Sequence, residues 1–422
     1  MPFRSIFIAF VIGSSLIVAA LMVNRARPAG DTSHPFPAFT RATGRCAQCH
    51  REETAAIVHQ FERSQHSQAN ITCYDCHQAL DGQDDLEHYT FVLAREVTSL
   101  NCQACHRTEY EQFARSRHAL PAWAAVRGTA RLSADQIAFG ERYHPGAVDR
   151  PPNALALLEG PAAIQTGCLG CHDIGRPNPD GSIGSCTECH SRHSTSIALA
   201  REPQTCGQCH MGPDHAQLEI YNASKHGVLF NAQRASMNLS ADPKLLTTAD
   251  MPIPTCATCH MSGLDGLKVT HDTTERLSYF LFAEVSEQRP GYLSGQTEMQ
   301  ETCLKCHASS NVNRFYAEAE AVVSATNDVV REVEELMADL RSEGLLTPEP
   351  FDEAIEFLYF DFWHYFGRTA KHGAFMGGAD FVQWHGNYEL LLKRTELEEM
   401  AAALRRTGGR DEPGSASLVE HF

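Results

Sequence analysis

The sequence has 422 residues, with 35 basic against 52 acidic side chains and a formal net charge of −17. This negative surplus repels a phosphate backbone, which argues against nucleic acid as a partner. Small neutral or cationic ligands, or a basic redox partner, suit the charge better.

The N-terminus has the pattern of an export signal or a membrane anchor. Residues 1–4 end in Arg4, and residues 5–23 carry no charge and are long enough to cross a bilayer. Because no clear small-residue cleavage site follows, we expect residues 1–23 to remain as an anchor rather than to be cleaved. Residues 24–45 then form a linker, and the rest of the chain is exported to the periplasmic side of the inner membrane.

All sixteen cysteines fall into eight Cys-x-x-Cys-His motifs. In such a motif the two thiols add to the two vinyl groups of one porphyrin, and the histidine binds the iron as proximal ligand. Zinc ribbons also use paired cysteines, but zinc needs no histidine after every second one. The motifs therefore predict eight covalently bound haem c groups, attached at Cys46-Cys49-His50, Cys73-Cys76-His77, Cys102-Cys105-His106, Cys168-Cys171-His172, Cys186-Cys189-His190, Cys206-Cys209-His210, Cys256-Cys259-His260 and Cys303-Cys306-His307.

Fourteen further histidines are enough to supply a second axial ligand to every iron, so their number alone reveals no open site. A Ser-x-His pattern recurs at residues 64–66, 116–118, 191–193 and 224–226 and is typical of such ligands. The alternative for each histidine is a hydrogen bond to a propionate or a place on the surface. We predict as distal ligands His66, His88, His118, His193, His226 and His271, with His59 and His144 in reserve and with His34 and His421 solvated in the tails.

The segment from Cys206 to Gly227, CGQCHMGPDHAQLEIYNASKHG, carries the most specific pattern. It resembles the octahaem hydroxylamine oxidoreductase family, whose members have a similar haem motif, Asp-His pair and Ser-Lys-His-Gly run. The segment PTCATCHM at 254–261 and the number of motifs add to this resemblance, which extends over residues 45–400.

The resemblance implies that one haem differs from the other seven. In that family the fourth haem is catalytic and has an open distal face, while the others carry two histidines each. Here His172 would then hold the fourth iron alone, with Asp214 and His215 above the open position as proton donors or acceptors. The alternative is a loop aspartate followed by a seventh distal histidine.

Beyond residue 310 the sequence changes to helical periodicity. Val322, Val329 and Leu336, interleaved with Val333 and Leu340, predict a long amphipathic helix over 311–346 that ends near Gly344. Further helices are expected from Phe351 and over 389–406. The predicted fold is thus mainly α: a multihaem cytochrome c core with little regular sheet at 46–310, a C-terminal helical bundle at 311–406 and a flexible tail at 407–422. The resemblance implies that this bundle joins three subunits into a homotrimer.

The segment 373–390, GAFMGGADFVQWHGNYEL, also resembles the family. Hydroxylamine-oxidising members use a tyrosine of this region, from a neighbouring subunit, to cross-link the catalytic haem. We place Phe381 at that position, and it has no hydroxyl to form the link; Tyr388 is the competing candidate. With Phe381 there, the chain resembles the reductive branch of the family.

The sequence therefore predicts an oxidoreductase that acts on a small nitrogen compound, through nitrite or hydroxylamine reduction or hydroxylamine oxidation, with reduction favoured. Seven bis-histidine haems would exchange electrons with a periplasmic or membrane redox partner, either a cytochrome or a quinone-linked protein. The alternative function is a non-catalytic electron conduit. Sulfur chemistry, as in tetrathionate reductases, is disfavoured because all eight motifs end in histidine.

Overall fold

The computed structural model describes residues 39–409. The predicted anchor at 1–23, most of the linker and most of the tail lie outside these residues, as do His34 and His421. Among residues 39–409, no helix combines the length and the apolar character needed to cross a membrane. The first helix among residues 39–409 begins at Gly44, so the last two residues of the predicted linker 24–45 are helical.

Helices dominate the described chain, and a single antiparallel hairpin, Asp85–His88 with Phe91–Ala94, forms the sheet found among residues 39–409. The predicted mainly α fold with little regular sheet is confirmed. The α-helices before residue 308 are Gly44–Glu53, Ala55–Phe61, Gln65–Gln68, Cys73–His77, Ser99–Gln103, Arg107–Arg115, Leu120–Arg127, Ala134–Tyr143, Ala154–Glu159, Pro161–Ala163, Leu169–His172, Ile197–Arg201, Pro203–Gly207, Gln217–Ala223, Lys225–Gln233, Cys256–His260 and Tyr292–Leu304. Shorter 3-10 turns are Pro145–Ala147, Asp173–Gly175, Cys186–Glu188, Arg234–Ser236 and Leu264–Gly266, and Ile164–Cys168 is a π-helical turn.

Several helices that carry motif cysteines are short and begin at a capping side chain. The backbone N–H of Thr72 donates to Asp75 Oδ2 over 2.7 Å, and that of Thr255 donates to Thr258 Oγ1 over 3.1 Å. Such caps stabilise a helix end by about 1 kcal/mol. Because each threonine directly precedes the first cysteine of its motif, the cap fixes where the haem-binding turn begins.

The C-terminal part is built on three helical segments. The long helix is Ser309–Ser342, the π-bulged helix comprises Ala354–Phe360, the π-helical turn Asp361–Gly367 and Arg368–Met376, and the final helix is Glu389–Thr407. Between the last two lie Ala379–Val382 and a second π-helical segment, Gln383–Tyr388. Gly344 follows the long helix with φ +71°, a left-handed conformation that suits glycine and ends the helix.

The buried face of the long helix differs by one position from the prediction. Val323, Val330 and Met337 are buried, whereas their predicted neighbours Val322, Val329 and Leu336 are only half-buried. Val333 and Leu340 are buried as predicted. Val330, Val333, Met337 and Leu340 pack with residues of the π-bulged and final helices, namely Ile355, Phe362, Leu390, Leu397 and Ala401.

Candidate functional site

The described chain encloses a cavity of about 3380 Å³ that is lined by the histidines of all eight motifs. A ligand pocket for one small molecule is typically ~300–1,000 Å³, and close-packed interiors leave no comparable space. All sixteen cysteines are free of disulfide bonds, as thioether attachment requires. The volume, the free thiols and the ring of histidines fit a set of porphyrins.

Six motif histidines each have the ring of one non-motif histidine opposite them, with ring centroids 5.8–6.4 Å apart. Two imidazoles on opposite faces of one iron, each with a nitrogen ~2 Å from the metal, have centroids roughly 6 Å apart. The spacing therefore fits axial ligation of one iron by each pair. The pairs are His50–His88, His66–His106, His77–His193, His118–His210, His190–His271 and His226–His307.

Hydrogen bonds orient several of these rings. The Nδ1 atoms of His50 and His66 each lie 2.9 Å from a threonine hydroxyl, of Thr54 and Thr195 respectively. A hydrogen bond between Nδ1 and a threonine hydroxyl leaves Nε2 as the nitrogen for a metal. Burial also lowers the pKa of His118 to about 3 and that of His190 to about 4. Both rings are consequently neutral at pH 7, which is the form that binds iron.

The two reserve candidates lie elsewhere. His59 is 60 % exposed beside Glu62, with Nδ1 3.6 Å from Oε2. Nε2 of His144 lies 2.7 Å from the carbonyl of Ala114 and is engaged there. In the described part of the chain neither ring lines the cavity, so the structure brings neither next to a motif histidine.

The six pairs leave His172, of the fourth motif, and His260, which lies beside Arg276. His172 ends the helix Leu169–His172, and its Nδ1 lies 2.6 Å from the carbonyl of Ala122. Nδ1–H therefore donates to this carbonyl, and Nε2 is left for a metal. Burial lowers the pKa of His172, and the charges of His215 and Asp214 also act on it. The Asp-His pair thus lies close to the fourth motif.

Asp214 and His215 lie in the loop before the helix Gln217–Ala223. Oδ2 of Asp214 is 2.6 Å from Nδ1 of His215, an ion-pair distance, although the carboxylate lies off the line of a straight N–H···O bond. Burial raises the pKa of Asp214, but the contact with His215 outweighs this effect and the pKa lies below its usual value. The carboxylate therefore stays ionised at pH 7, as a negative charge beside the imidazole.

The π-bulged helix contributes residues that the sequence did not reveal as part of the site. His364 and Tyr365 lie in its π-helical turn, and Arg368 follows one turn later; all three line the cavity. The hydroxyl of Thr369 donates to the carbonyl of Pro213 over 3.2 Å, which ties this helix to the Asp214 loop. His364 and Arg368 are four residues apart and therefore share a helix face. This spacing, within a run of aromatic residues, was the sequence signal from which their place in the site could have been predicted.

Arg368 and His364 interact directly. Nη1 of Arg368 donates to Nε2 of His364 over 2.7 Å, and Nε of Arg368 donates to the carbonyl of Phe282 over 2.9 Å. The guanidinium also lies over the rings of Phe282 and Trp363, 5.4 and 4.9 Å from their centroids. Burial lowers the pKa of Arg368 to about 10, partly opposed by Asp214, and burial next to Arg368 lowers that of His364 to about 3. At pH 7 Arg368 is a cation and His364 is neutral.

The loop that carries Phe282 is held by the same helix. Lys371 is fully buried, and its Nζ donates to the carbonyls of Ala283 and Glu284, both over 3.1 Å. With the bond from Arg368, three consecutive carbonyls accept hydrogen bonds from one helix. Phe282 is thereby fixed with its ring 5.9 Å from that of His215.

His372 is a second histidine that sequence reasoning missed. It is 6 % exposed and lines the cavity, and its Nδ1 donates to the carbonyl of Arg368 over 2.8 Å. Its ring packs on that of Phe282, with the centroids 4.8 Å apart. The bond at Nδ1 leaves Nε2 as the ring's free nitrogen.

Both candidates for the cross-link position lie away from the cavity of their own chain. The ring of Phe381 packs on that of His385, 5.0 Å away. Tyr388 is 48 % exposed beside Trp384. Within residues 39–409, neither ring lines the cavity.

Comparison with known proteins gives a consistent picture. Residues 69–351 match the protein family described as "Seven times multi-haem cytochrome CxxCH". A protein of Kuenenia stuttgartiensis described as "Probable nitrite reductase-hydroxylamine oxidoreductase fusion protein" is 27 % identical over 229 residues. This match covers 51 % of the present chain but only 25 % of the relative, so the chain spans about a quarter of that protein.

Two solved structures share the fold. A "Hypothetical multiheme protein" has a TM-score of 0.74 at 21 % identity, and the match covers 91 % of this chain and all of the other. A reducing HAO-like protein complex of Kuenenia stuttgartiensis has a TM-score of 0.64 at 20 % identity, with coverage of 86 % and 85 %. At these identities the likeness extends to the fold alone.

Proposed function

Because this chain belongs to the multi-haem cytochrome CxxCH family, we propose that it is an octahaem oxidoreductase acting on a small nitrogen compound at the fourth motif. Covalent haem c comes with membership of this family, whereas the number of eight and the choice of the fourth haem are parts of the proposal. A relative described as a probable nitrite reductase-hydroxylamine oxidoreductase fusion protein supports this substrate class.

The observation that carries the proposal is the contrast between His172 and the six paired motif histidines. Each of the six has an imidazole ring opposite it at the spacing of axial ligands. Among the described residues, His172 and His260 have no histidine ring opposite them at this spacing. The charges of Asp214 and His215 act on His172, and the ring of His215 also lies 6.1 Å from that of His210. His260 has Arg276 beside it rather than an Asp-His pair. A carboxylate and an imidazole 2.6 Å apart are suited to acid-base chemistry rather than to passive electron transfer.

The residues of this site support a reaction that consumes protons together with electrons. The haem, when bound, supplies an iron that takes the substrate nitrogen and exchanges electrons with it. Asp214 holds His215 in place through their 2.6 Å contact, and His215 exchanges a proton with the substrate side of the cavity. Phe282 packs on His215 and excludes water from one side of it.

We assign the remaining haems to electron transfer. His66, His88, His118, His193, His226 and His271 would serve as the distal ligands of six of these seven haems in this proposal, and no distal ligand is assigned to the haem at His260. A periplasmic or membrane redox partner, a cytochrome or a quinone-linked protein, exchanges electrons with the chain. Phe381 at the cross-link position favours the reductive direction, and the exposed C-terminal helices suit a homotrimer.

Carbon monoxide binding to the reduced holoprotein tests the proposal. We expect the spectrum of the haem at the fourth motif to change, because carbon monoxide binds where the sixth position is open. An electron conduit with two histidines on every iron would show no change, and that result would overturn the proposal. Steady-state assays with nitrite, hydroxylamine and hydrazine, each with an electron donor and an electron acceptor, then establish the direction.

A further inference from the structure

Arg276 is a buried arginine in the wall of the cavity, with only 2 % of its surface exposed. Its Nη1 donates to the carbonyl of Cys259 over 2.8 Å and to the hydroxyl of Thr302 over 3.5 Å. Its Nη2 donates to the carbonyls of Ser262 and Lys268 over 3.0 and 2.6 Å. Nε is enclosed and has no hydrogen-bond partner in the described part of the chain. The guanidinium therefore has no donor left for a haem propionate.

No carboxylate neutralises the charge of Arg276 at contact distance. Among residues 39–409 its hydrogen-bond partners are uncharged oxygen atoms, and it forms no ion pair. The neighbouring Glu275 is paired with Lys268, while Glu298 and Glu301 act on Arg276 through their charge without bonding to it. Carbonyl dipoles stabilise a guanidinium but leave its net charge in place, and arginine keeps that charge when it is buried.

This cation lies beside the haem-binding turn of the seventh motif. Cys259, whose carbonyl accepts from Arg276, supplies one of the two thiols of that motif, and the next residue, His260, supplies the proximal nitrogen. Burial lowers the pKa of His260 to about 4, and the charge of Arg276 acts in the same direction. The surroundings of the seventh motif thus disfavour a further positive charge.

We propose that Arg276 raises the reduction potential of the haem at the seventh motif and makes this haem an electron-storage site within the chain. Reduction adds one electron, taken from the redox partner, to the ferric iron, and no bond forms or breaks. Because this step removes one positive charge from the centre, a fixed cation beside it stabilises the ferrous form over the ferric form. Arg276 acts through this haem and not on the substrate. The inference therefore does not depend on which haem binds the substrate.

Spectroelectrochemical titration of the holoprotein measures the effect without turnover. In Arg276→Met, a component that accounts for one of the eight haems should move to a lower potential. A charge close to a buried centre changes an equilibrium constant by roughly ten- to a hundredfold. For a one-electron couple this corresponds to about 59 to 118 mV, at about 59 mV per factor of ten. Arg276→Lys should recover most of the shift, because it restores the charge without the planar set of donors.

A second variant offsets the charge and leaves the arginine in place. Thr302→Asp puts a carboxylate where the Thr302 hydroxyl lies 3.5 Å from Nη1 of Arg276, and it should lower the potential of the same component. Thr302→Val is the matched control, because valine has nearly the shape of threonine and carries no charge. Its titration curve should equal that of the native protein.

Haem content per chain, measured for each variant, establishes that the compared proteins carry the same number of haems. Unchanged potentials in both Arg276→Met and Thr302→Asp would overturn the inference. A shift in Thr302→Val as large as that in Thr302→Asp would also overturn it, because packing rather than charge would then be the cause. Absence of carbon monoxide binding in the native protein would instead overturn the proposed function, so the two failures are distinguishable.

Discussion

Nδ1 of His215 and Oδ2 of Asp214 lie 2.6 Å apart in a loop whose charges act on His172. Replacing His215 with alanine should lower turnover by about 10²- to 10⁴-fold, the range for a positioned acid-base group. All eight motifs should still carry haem, because His215 belongs to none of them. The measurements are the haem content per chain and the steady-state rate with nitrite or hydroxylamine. Full activity in the variant would refute the role assigned to His215.

The distal pairs predict a change in ligand binding when one partner is removed. His226 lies opposite His307 with ring centroids 5.8 Å apart. In His226→Ala the iron at the last motif should lose its sixth ligand, so one more haem should bind carbon monoxide than in the native protein. The control is His59→Ala, because His59 is 60 % exposed beside Glu62 and should leave carbon monoxide binding as in the native protein. If His226→Ala binds carbon monoxide at the same number of haems as the native protein, His226 is not an axial ligand.

The residue at the cross-link position decides how the protein behaves on denaturing electrophoresis. If Phe381 stands at that position, the protein should separate into monomers, because phenylalanine has no hydroxyl to bond to the haem of a neighbouring subunit. Haem-linked oligomers that survive denaturation would instead indicate Tyr388. In that case Tyr388→Phe should restore monomers, which separates a tyrosine link from another covalent contact.

The buried Lys371 predicts a dependence of stability on pH. Burial lowers its pKa from 10.5 to about 7, so the folded protein releases a proton that the unfolded chain still binds between these values. The free energy of unfolding should therefore rise from pH 7 to pH 10.5 by at most about 5 kcal/mol, at ~1.4 kcal/mol per pKa unit.

In Lys371→Met the rise in the free energy of unfolding between pH 7 and pH 10.5 that comes from Lys371 should vanish. The hydrogen bonds from Lys371 to the carbonyls of Ala283 and Glu284 are also lost. Urea midpoints of the variant and the native protein, compared between pH 7 and pH 10, measure the difference. Lys393→Met is the control, because Lys393 pairs with Glu396 at the helix surface over 2.8 Å. Equal pH profiles for Lys371→Met and the native protein would contradict the prediction.

Local sequence patterns were sufficient to predict where haem is attached. A Cys-x-x-Cys-His motif holds both thiols and the proximal ligand within five residues, so its chemistry does not depend on the rest of the fold. The long helix was also predictable, but its buried face was wrong by one position. The apolar residues occur as adjacent pairs, Val322-Val323, Val329-Val330 and Leu336-Met337, and periodicity alone cannot choose between members of a pair. Packing against Phe362 and Leu390 made that choice.

The remaining features of the site depend on contacts between distant parts of the chain. His77 meets His193, more than a hundred residues away, and such pairings depend on how loops close around the cavity rather than on spacing. The same is true of Arg368 and His364, which carry no motif and approach Asp214 because Thr369 bonds to Pro213. The eight haem-binding motifs could thus be identified from the sequence alone, because each consists of residues that are close together in the chain. The side chains around the fourth motif came together only through tertiary packing, because local sequence does not encode long-range proximity.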